Sequence, residues 1–242
     1  MSQRQVPDWL TQWEYAHRGL HDAKVPENSL AGAKGAIAGQ LGIECDVQMS
    51  GDGVPIVFHD WDLRRLVGTK GRFEDWPAAE LCEMSLLGTD QHPATLVDFL
   101  DEIAARVPVL VEVKSHSAMT IEPACEAIAA VLSRYTGQFA VMSFDDRVTK
   151  WFRENKPDTV SGLVMREDEY GHTQKAEERV AAFENAQPDF LAYHIAALPS
   201  VWVAGLRAGG LPILSWTVNT SENRARALQC VDALIVEAEG FA

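Results

Sequence analysis

Hydrophobic residues fall along this chain in short runs of strand length, each closing on polar residues: "WEYAHRG", "GIECDVQM", "VPIVFHD", "VPVLVEVK", "QFAVMSFD", "GLVMRED", "DFLAYH", "LPILSWTVN" and "DALIVEAE". Alanine-rich stretches of helical composition separate many of them, among them "SLAGAKGAIAGQL", "LVDFLDEIAARV" and "EPACEAIAAVLSRY". Alternation of strand and helix predicts a parallel sheet. Because the runs lack polar alternation, that sheet should be buried on both faces, which favours a closed barrel over an open sheet.

Nine runs are one more than a (β/α)8 TIM barrel needs. The surplus lies at "QMSGDGVP", where Ser50, Gly51, Asp52 and Gly53 leave room for a turn and none for a helix. "GIECDVQM" and "VPIVFHD" are therefore expected to pair as a β-hairpin at the second strand. With Met49 facing Val54 across the turn, the register sets His59 opposite Glu44, and a slip of one residue still leaves His59 beside Glu44 and Asp46. From about 61 to 93 the pattern lapses into a mixed polar and glycine-containing insertion before the next helix, long for such a connection and lid-like by its length. "REDEYGHTQKAEER" reads as a solvated loop and helix start. No repeat or linker divides the chain, so residues 1–242 are expected to form one domain.

Length and composition fit that reading: 242 residues, 47% of them hydrophobic, bury one sizeable core. A formal net charge of −14 argues against non-specific attraction to nucleic acid or anionic membrane, so any bound phosphate needs local cations. The start "MSQRQVPDWLTQWEYAHRG" lacks an apolar core of signal-peptide length, and no apolar run reaches the roughly 18 residues of a membrane span. A cytoplasmic protein without stable membrane insertion is expected. Cys45, Cys82, Cys125 and Cys230 are far apart and form no CxxC pair, which suits reduced thiols packed for structure.

Strand side chains alternate, so Glu44 and Asp46 in "IECDV" share one face. Glu112 and Lys114 in "LVEVKS" share a face on another strand. Carboxylates aimed together into an apolar barrel need a cation, and three of them suit Mg2+ or Ca2+ better than zinc. Each pair taken alone is equally well a solvated strand end or an ordinary ion pair. "YAHRG" closes the first strand with His17, Arg18 and Gly19, a proton-transfer group beside an oxygen-binding one.

The order "AHRG", "PENS", "IECDVQMSGDGVPIVFHD", "VEVK" and "SWTVN" resembles the glycerophosphodiester phosphodiesterase family, among the PLC-like TIM-barrel phosphodiesterases. The resemblance runs from about Tyr15 to the carboxyl end. It implies metal-dependent hydrolysis of a small-molecule glycerophosphodiester to sn-glycerol 3-phosphate and an alcohol. By it the two catalytic histidines fall on His17 and His59, and the ligands of one divalent cation on Glu44, Asp46 and Glu112. Arg18 and Lys114 bind phosphate, Glu27 and Asn28 shape the site, and Trp216, Ser143 and Phe144 line the pocket. Two stretches depart from the pattern. The last strand reads "ALIVEAEGFA", with Glu237 where the family has aspartate, and "LRRLVG" replaces the usual Asp-Arg-Thr stretch after His59.

Rival readings are a lysophospholipase D or cyclising phospholipase-like barrel acting on lipid, and a barrel that binds phosphodiesters without cleaving them. A transition-metal hydrolase built on "HD" at His59 and Asp60 lacks further histidines at ligand spacing, since no HxH or HExxH occurs. His21, His92, His116, His172 and His194 are accordingly read as structural or surface residues.

Overall fold

The computed structural model describes residues 6–241, so part of the start read above for a signal segment, residues 1–5, and Ala242 lie outside the described residues. Among the described residues ten strands form one sheet: β1 (Tyr15–Ala16), β2 (Gly42–Met49), β3 (Pro55–Val57), β4 (Ala94–Thr95), β5 (Val109–Val113), β6 (Phe139–Ser143), β7 (Val160–Met165), β8 (Phe190–His194), β9 (Ile213–Val218) and β10 (Ala233–Val236). Eight of them are parallel and close in the order β1-β10-β9-β8-β7-β6-β5-β2, with β1 pairing back onto β2. This is the expected (β/α)8 barrel.

The hairpin is present, with its register one residue from the first expectation. Met49 pairs with Pro55 and Val47 with Val57. Gly53 adopts φ +78°, and Ser50 pairs with Val54, its N–H donating to the Val54 carbonyl at 3.0 Å and its Oγ accepting the Val54 N–H at 2.9 Å, so the turn is the three residues Gly51 to Gly53. Continued, this register carries His59 to Cys45, midway between Glu44 and Asp46. The two-residue strand β4, antiparallel to β3, was not foreseen, because two residues carry no periodicity.

Alternation divides the side chains of β2 and β5 between two environments. Ile43, Cys45, Val47, Val109, Val111 and Val113 point outward against the helices Leu30–Ala38, Leu96–Ile103 and Glu122–Leu132. Leu110 points inward, among Tyr15, Ala140, Met142, Val164, Phe190, Leu214 and Ile235. Gly162 makes room for Phe190 there: a Cβ at 162 would lie 2.2 Å from that ring. The short helix Trp9–Gln12 adds Leu10 to this interior, held by Tyr15 Oη donating to the Leu10 carbonyl at 3.0 Å.

Residues 61–93 contain two one-turn helices, Arg64–Val67 and Ala78–Leu81, and a 3-10 turn Phe73–Asp75. They bury Leu63, Leu66, Phe73, Leu81 and Leu86 against Ile56 and Phe58, with the Phe58 and Phe73 rings stacked at 4.8 Å. At roughly 1.5–3 kcal/mol for each large apolar side chain buried, this satellite core is enough to hold the segment's shape. All four cysteines are free thiols, Cys45 and Cys125 fully buried.

Candidate active site

The ends of the strands build the site. β2 and β5 pair with Asp46 beside Glu112 and Glu44 beside Leu110. Glu44, Asp46 and Glu112 thus sit on the inner face, each no more than 7% exposed, with one oxygen from each within 4.8 Å of the others. Lys114 continues β5 on the same face and places Nζ 3.0 Å from Glu112 Oε1 and 3.4 Å from Asp46 Oδ1.

β1 ends in a turn that fixes His17 and Arg18. Arg18 takes φ +56° and Gly19 φ +77°; a Cβ on Gly19 would lie 2.9 Å from the backbone of Gly32 in the helix Leu30–Ala38. The turn aims the Arg18 N–H at Glu44 Oε2, 2.9 Å away. Its guanidinium donates to Glu27 Oε1 at 2.7 Å, while Nε lies 3.3 Å from Asp46 Oδ2, an ion pair without an aligned hydrogen bond. Asn28, itself at φ +56°, grips Asp46 twice, donating Nδ2 to Oδ2 at 2.9 Å and accepting the Asp46 N–H at 3.2 Å.

His17 and His59 each lean on a carboxylate of their own. His17 donates Nδ1–H to Glu237 Oε2 at 2.7 Å, and its Nε2 stands 4.0 Å from Glu44 Oε2. His59 donates Nδ1–H to Asp60 Oδ1 at 2.7 Å. A carboxylate only accepts, so both rings carry the proton on Nδ1 and keep Nε2 for other partners. Gln48 holds the chain beneath His59 by donating Nε2 to the carbonyls of Phe58 and Asp60.

Arg65 was not singled out in the sequence, where it falls in the departing "LRRLVG". It donates to both Asp60 oxygens at 2.7 Å and to both Glu27 oxygens at 2.6 and 2.8 Å. One guanidinium therefore connects the partner of His59 to the partner of Arg18. The only sequence sign was its spacing, six residues after His59. Glu237, left without an assigned role by the sequence, closes β10 at the corresponding place beside His17.

These contacts set the proton affinities. Burial would raise the Asp46 carboxyl, yet the charges of Lys114, His59 and Arg18 and the Asn28 hydrogen bond outweigh it and hold it well below the usual range. Glu44 goes the opposite way: burial, then the charges of Asp46 and Glu112, raise it well above the usual range. Burial lowers His17, partly offset by Glu237. Glu237 is held low by its hydrogen bond to His17 and by His21, whose Nε2 lies 3.6 Å away. Burial works against the charge on Lys114, and Glu112 and Asp46 more than restore it.

His17, Arg18, Glu44, Asp46, His59, Glu112 and Lys114 face one cavity of about 710 Å3, also lined by Ser143, Phe144 and Trp216. Ser143 donates Oγ to the Val113 carbonyl at 2.7 Å. Glu27 and Asn28 stand behind the lining. Among the histidines read as structural or surface, His116 and His172 line the cavity and His194 packs on Trp216, ring centroids 4.7 Å apart. Only His116 gave a signal, following Lys114 by two residues.

A (β/α)8 barrel whose mouth gathers buried carboxylates, two cations and two carboxylate-braced imidazoles is a TIM-barrel hydrolase by class. The residue pattern of the glycerophosphoryl diester phosphodiesterase family matches residues 17–238, and the chain belongs to that family of phosphoric diester hydrolases. A glycerophosphodiester phosphodiesterase of Caldanaerobacter subterraneus subsp. tengcongensis is 25% identical over 235 residues, 92% of each chain. The crystal structure of the Thermotoga maritima glycerophosphodiester phosphodiesterase is 28% identical, with 92% of each chain covered and a TM-score of 0.72. A phosphodiesterase of Oleispira antarctica, solved in complex with the product sn-glycerol-3-phosphate, is 22% identical and shares the fold at a TM-score of 0.81, covering 93% of this chain and 92% of that one. Among the described residues no helix is long and apolar enough to cross a membrane.

Proposed function

We propose that this barrel hydrolyses soluble glycerophosphodiesters to sn-glycerol 3-phosphate and an alcohol, with Glu44, Asp46 and Glu112 holding one divalent cation. The convergence of those three buried carboxylates with Arg18, Lys114, His17 and His59 on one cavity carries the reading. The fit to a metal rests on charge. Lys114 engages Asp46 and Glu112 and Arg18 engages Asp46, whereas the Glu44 carboxyl accepts the backbone N–H of Arg18 and is driven toward protonation by burial and then by the charges of Asp46 and Glu112. A further cation relieves that repulsion, and an all-oxygen set suits Mg2+ or Ca2+. The chemistry such an ion supplies when bound is polarisation of a phosphoryl oxygen.

The chain's own groups do the rest. The Arg18 guanidinium and the Lys114 ammonium, both on the cavity lining, supply donors for the non-bridging phosphoryl oxygens as negative charge builds on them. His17 and His59 divide the proton work: one Nε2 accepts the proton of the nucleophile and the other delivers a proton to the departing alkoxide. Glu237 and Asp60 fix the tautomer of each ring and stabilise it when it is charged. Trp216 and Phe144, packed edge to face at 5.2 Å, wall the carbon skeleton of the substrate. The product held by the Oleispira antarctica relative supports glycerol 3-phosphate as the released half.

The test is a panel of soluble glycerophosphodiesters with enzyme-coupled detection of glycerol 3-phosphate, run with Mg2+, with Ca2+ and with chelator. Release that chelator abolishes and either ion restores is the expected result. Turnover of micellar lysolipid without turnover of any soluble diester overturns it in favour of a lipid substrate.

A further inference from the structure

Beyond the carboxylates the cavity is lined by Trp61, Tyr170, Trp216, Arg147, Arg166 and His172, an aromatic content that could form a box for a quaternary ammonium. The chain has already filled that box. The guanidinium carbon of Arg166 lies 5.2 Å from the Tyr170 ring centre and 5.5 Å from that of Trp216, so the cation those rings share is an internal one. His194 packs on Trp216 as well.

The carboxylates nearby are also engaged. Asp168 grips Arg166 through Nε and Nη2, and Asp145 accepts from Arg147 Nε and Nη2 and from Ser115. Asp146 accepts from Asn185 Nδ2. By contrast Arg166 Nη1 has no hydrogen-bond partner among the described residues and is not counted among the buried unpaired atoms. The bidentate grip of Asp168 fixes the guanidinium plane, so the free Nη1 donors are preoriented.

Resting on the phosphodiesterase reading above, we propose that Arg166 selects the alcohol half of the substrate: the cavity takes a headgroup with oxygen acceptors, a carboxylate or a polyol, and disfavours a quaternary ammonium. Arg166 and Asp168 are together nearly neutral, so the discrimination comes from hydrogen bonding at Nη1 and from occupied ring faces, not from long-range charge. A choline headgroup has no hydrogen for any of the carboxylates to accept and no acceptor for Nη1.

The experiment compares kcat/KM for glycerophosphoserine, glycerophosphoglycerol, glycerophosphoinositol and glycerophosphocholine in the native enzyme, Arg166→Met and Arg166→Lys. The native enzyme should favour the first three over choline by about tenfold or more, the scale of one hydrogen bond to a charged group. In Arg166→Met that ratio should fall to within about threefold, mainly through a higher KM for the acceptor-bearing headgroups, because the thioether keeps the apolar bulk over Trp216 and loses the donors. Arg166→Lys keeps the charge without the fork and should give an intermediate ratio; it stands as the test should the methionine variant not fold. A native preference for glycerophosphocholine, or a ratio that the substitutions leave unchanged, overturns the assignment. Absence of turnover with every diester overturns the phosphodiesterase reading, and this inference with it.

Discussion

The two sides of the barrel mouth are built differently. On the side of β1, β2 and β5 the polar groups are buried and interlocked: Asp46 alone meets Asn28, Arg18 and Lys114, and is 2% exposed. On the side of β6 to β9 the groups are aromatics and ion pairs that are partly exposed, Arg166 at 22% and Asp168 at 28%, with Tyr170 at 74%. A buried network tolerates no loss of a partner, because each removal strands a charge in low dielectric. An open set of stacked rings and exposed pairs can change at small cost. Under the proposed function the first side would carry the chemistry common to all substrates and the second the choice among them.

The largest effects are therefore expected on the first side. His17→Ala and His59→Ala should each lower kcat by about 10²- to 10⁴-fold, the range for loss of a general acid or base, and should do so equally for every headgroup. Steady-state kinetics on two diesters of different alcohol would check this. A headgroup-dependent loss at either histidine would erase the division between the two sides.

Arg65 comes next, because it touches neither cavity nor phosphate and acts through Asp60 and Glu27. Arg65→Ala should cut kcat by about tenfold with KM within about twofold, since it loosens the orientation of His59 and Arg18 without removing either. Its side chain is 49% exposed, so its ion pairs add little to global stability. Melting temperature would separate the two roles: a large drop in melting temperature with unchanged kcat would make Arg65 a structural brace only.

The legibility of the two sides followed the same line. Glu44, Asp46, Glu112 and Lys114 were readable because period-two alternation fixes which side chains share a face of a strand, whatever the loops do. The eight barrel strands were readable because apolar runs buried on both faces leave few other arrangements. Tertiary pairing, by contrast, lies outside any local pattern. Arg65 reaches Glu27 across 38 positions and Glu237 reaches His17 across 220, and neither spacing has a periodicity. The hairpin register differs by one residue because Ser50 pairs with Val54 through backbone and hydroxyl alike, leaving a three-residue turn that glycine at 53 makes possible. Arg166, Tyr170 and His172 belong to a charged segment that composition marks as solvated, and only the tertiary structure brings all three to the cavity and Arg166 over Trp216.

Glu237 offers a test by acid. Its carboxyl is held below the usual range in the folded chain by His17 and His21. A depressed folded value adds stability that is complete above the unfolded value of about 4.3 and is lost as pH falls through the folded one. Glu237→Gln should therefore flatten the decline of melting temperature below about pH 5, read against the native protein in the same buffers. An unchanged acid limb would mean that the His17 pair contributes nothing to folding.

The smallest effect is expected at Trp216. Its indole donates Nε1–H to the Ala192 carbonyl at 3.1 Å, and its ring meets Phe144, His194 and Arg166. What remains for a substrate is apolar contact with carbon atoms, made alike in the ground state and the transition state. Such contact changes KM and leaves kcat. Trp216→Phe keeps an aromatic surface and loses the indole hydrogen bond and part of the area, so KM should rise only about two- to fivefold, at roughly 25 cal/mol for each Å2 lost. The rise should be the same for glycerophosphocholine and glycerophosphoglycerol, because the cation on this ring belongs to Arg166 and not to the substrate. A selective loss with choline would show the ring face open to a headgroup, and would return Arg166 to the role of a surface ion pair with Asp168.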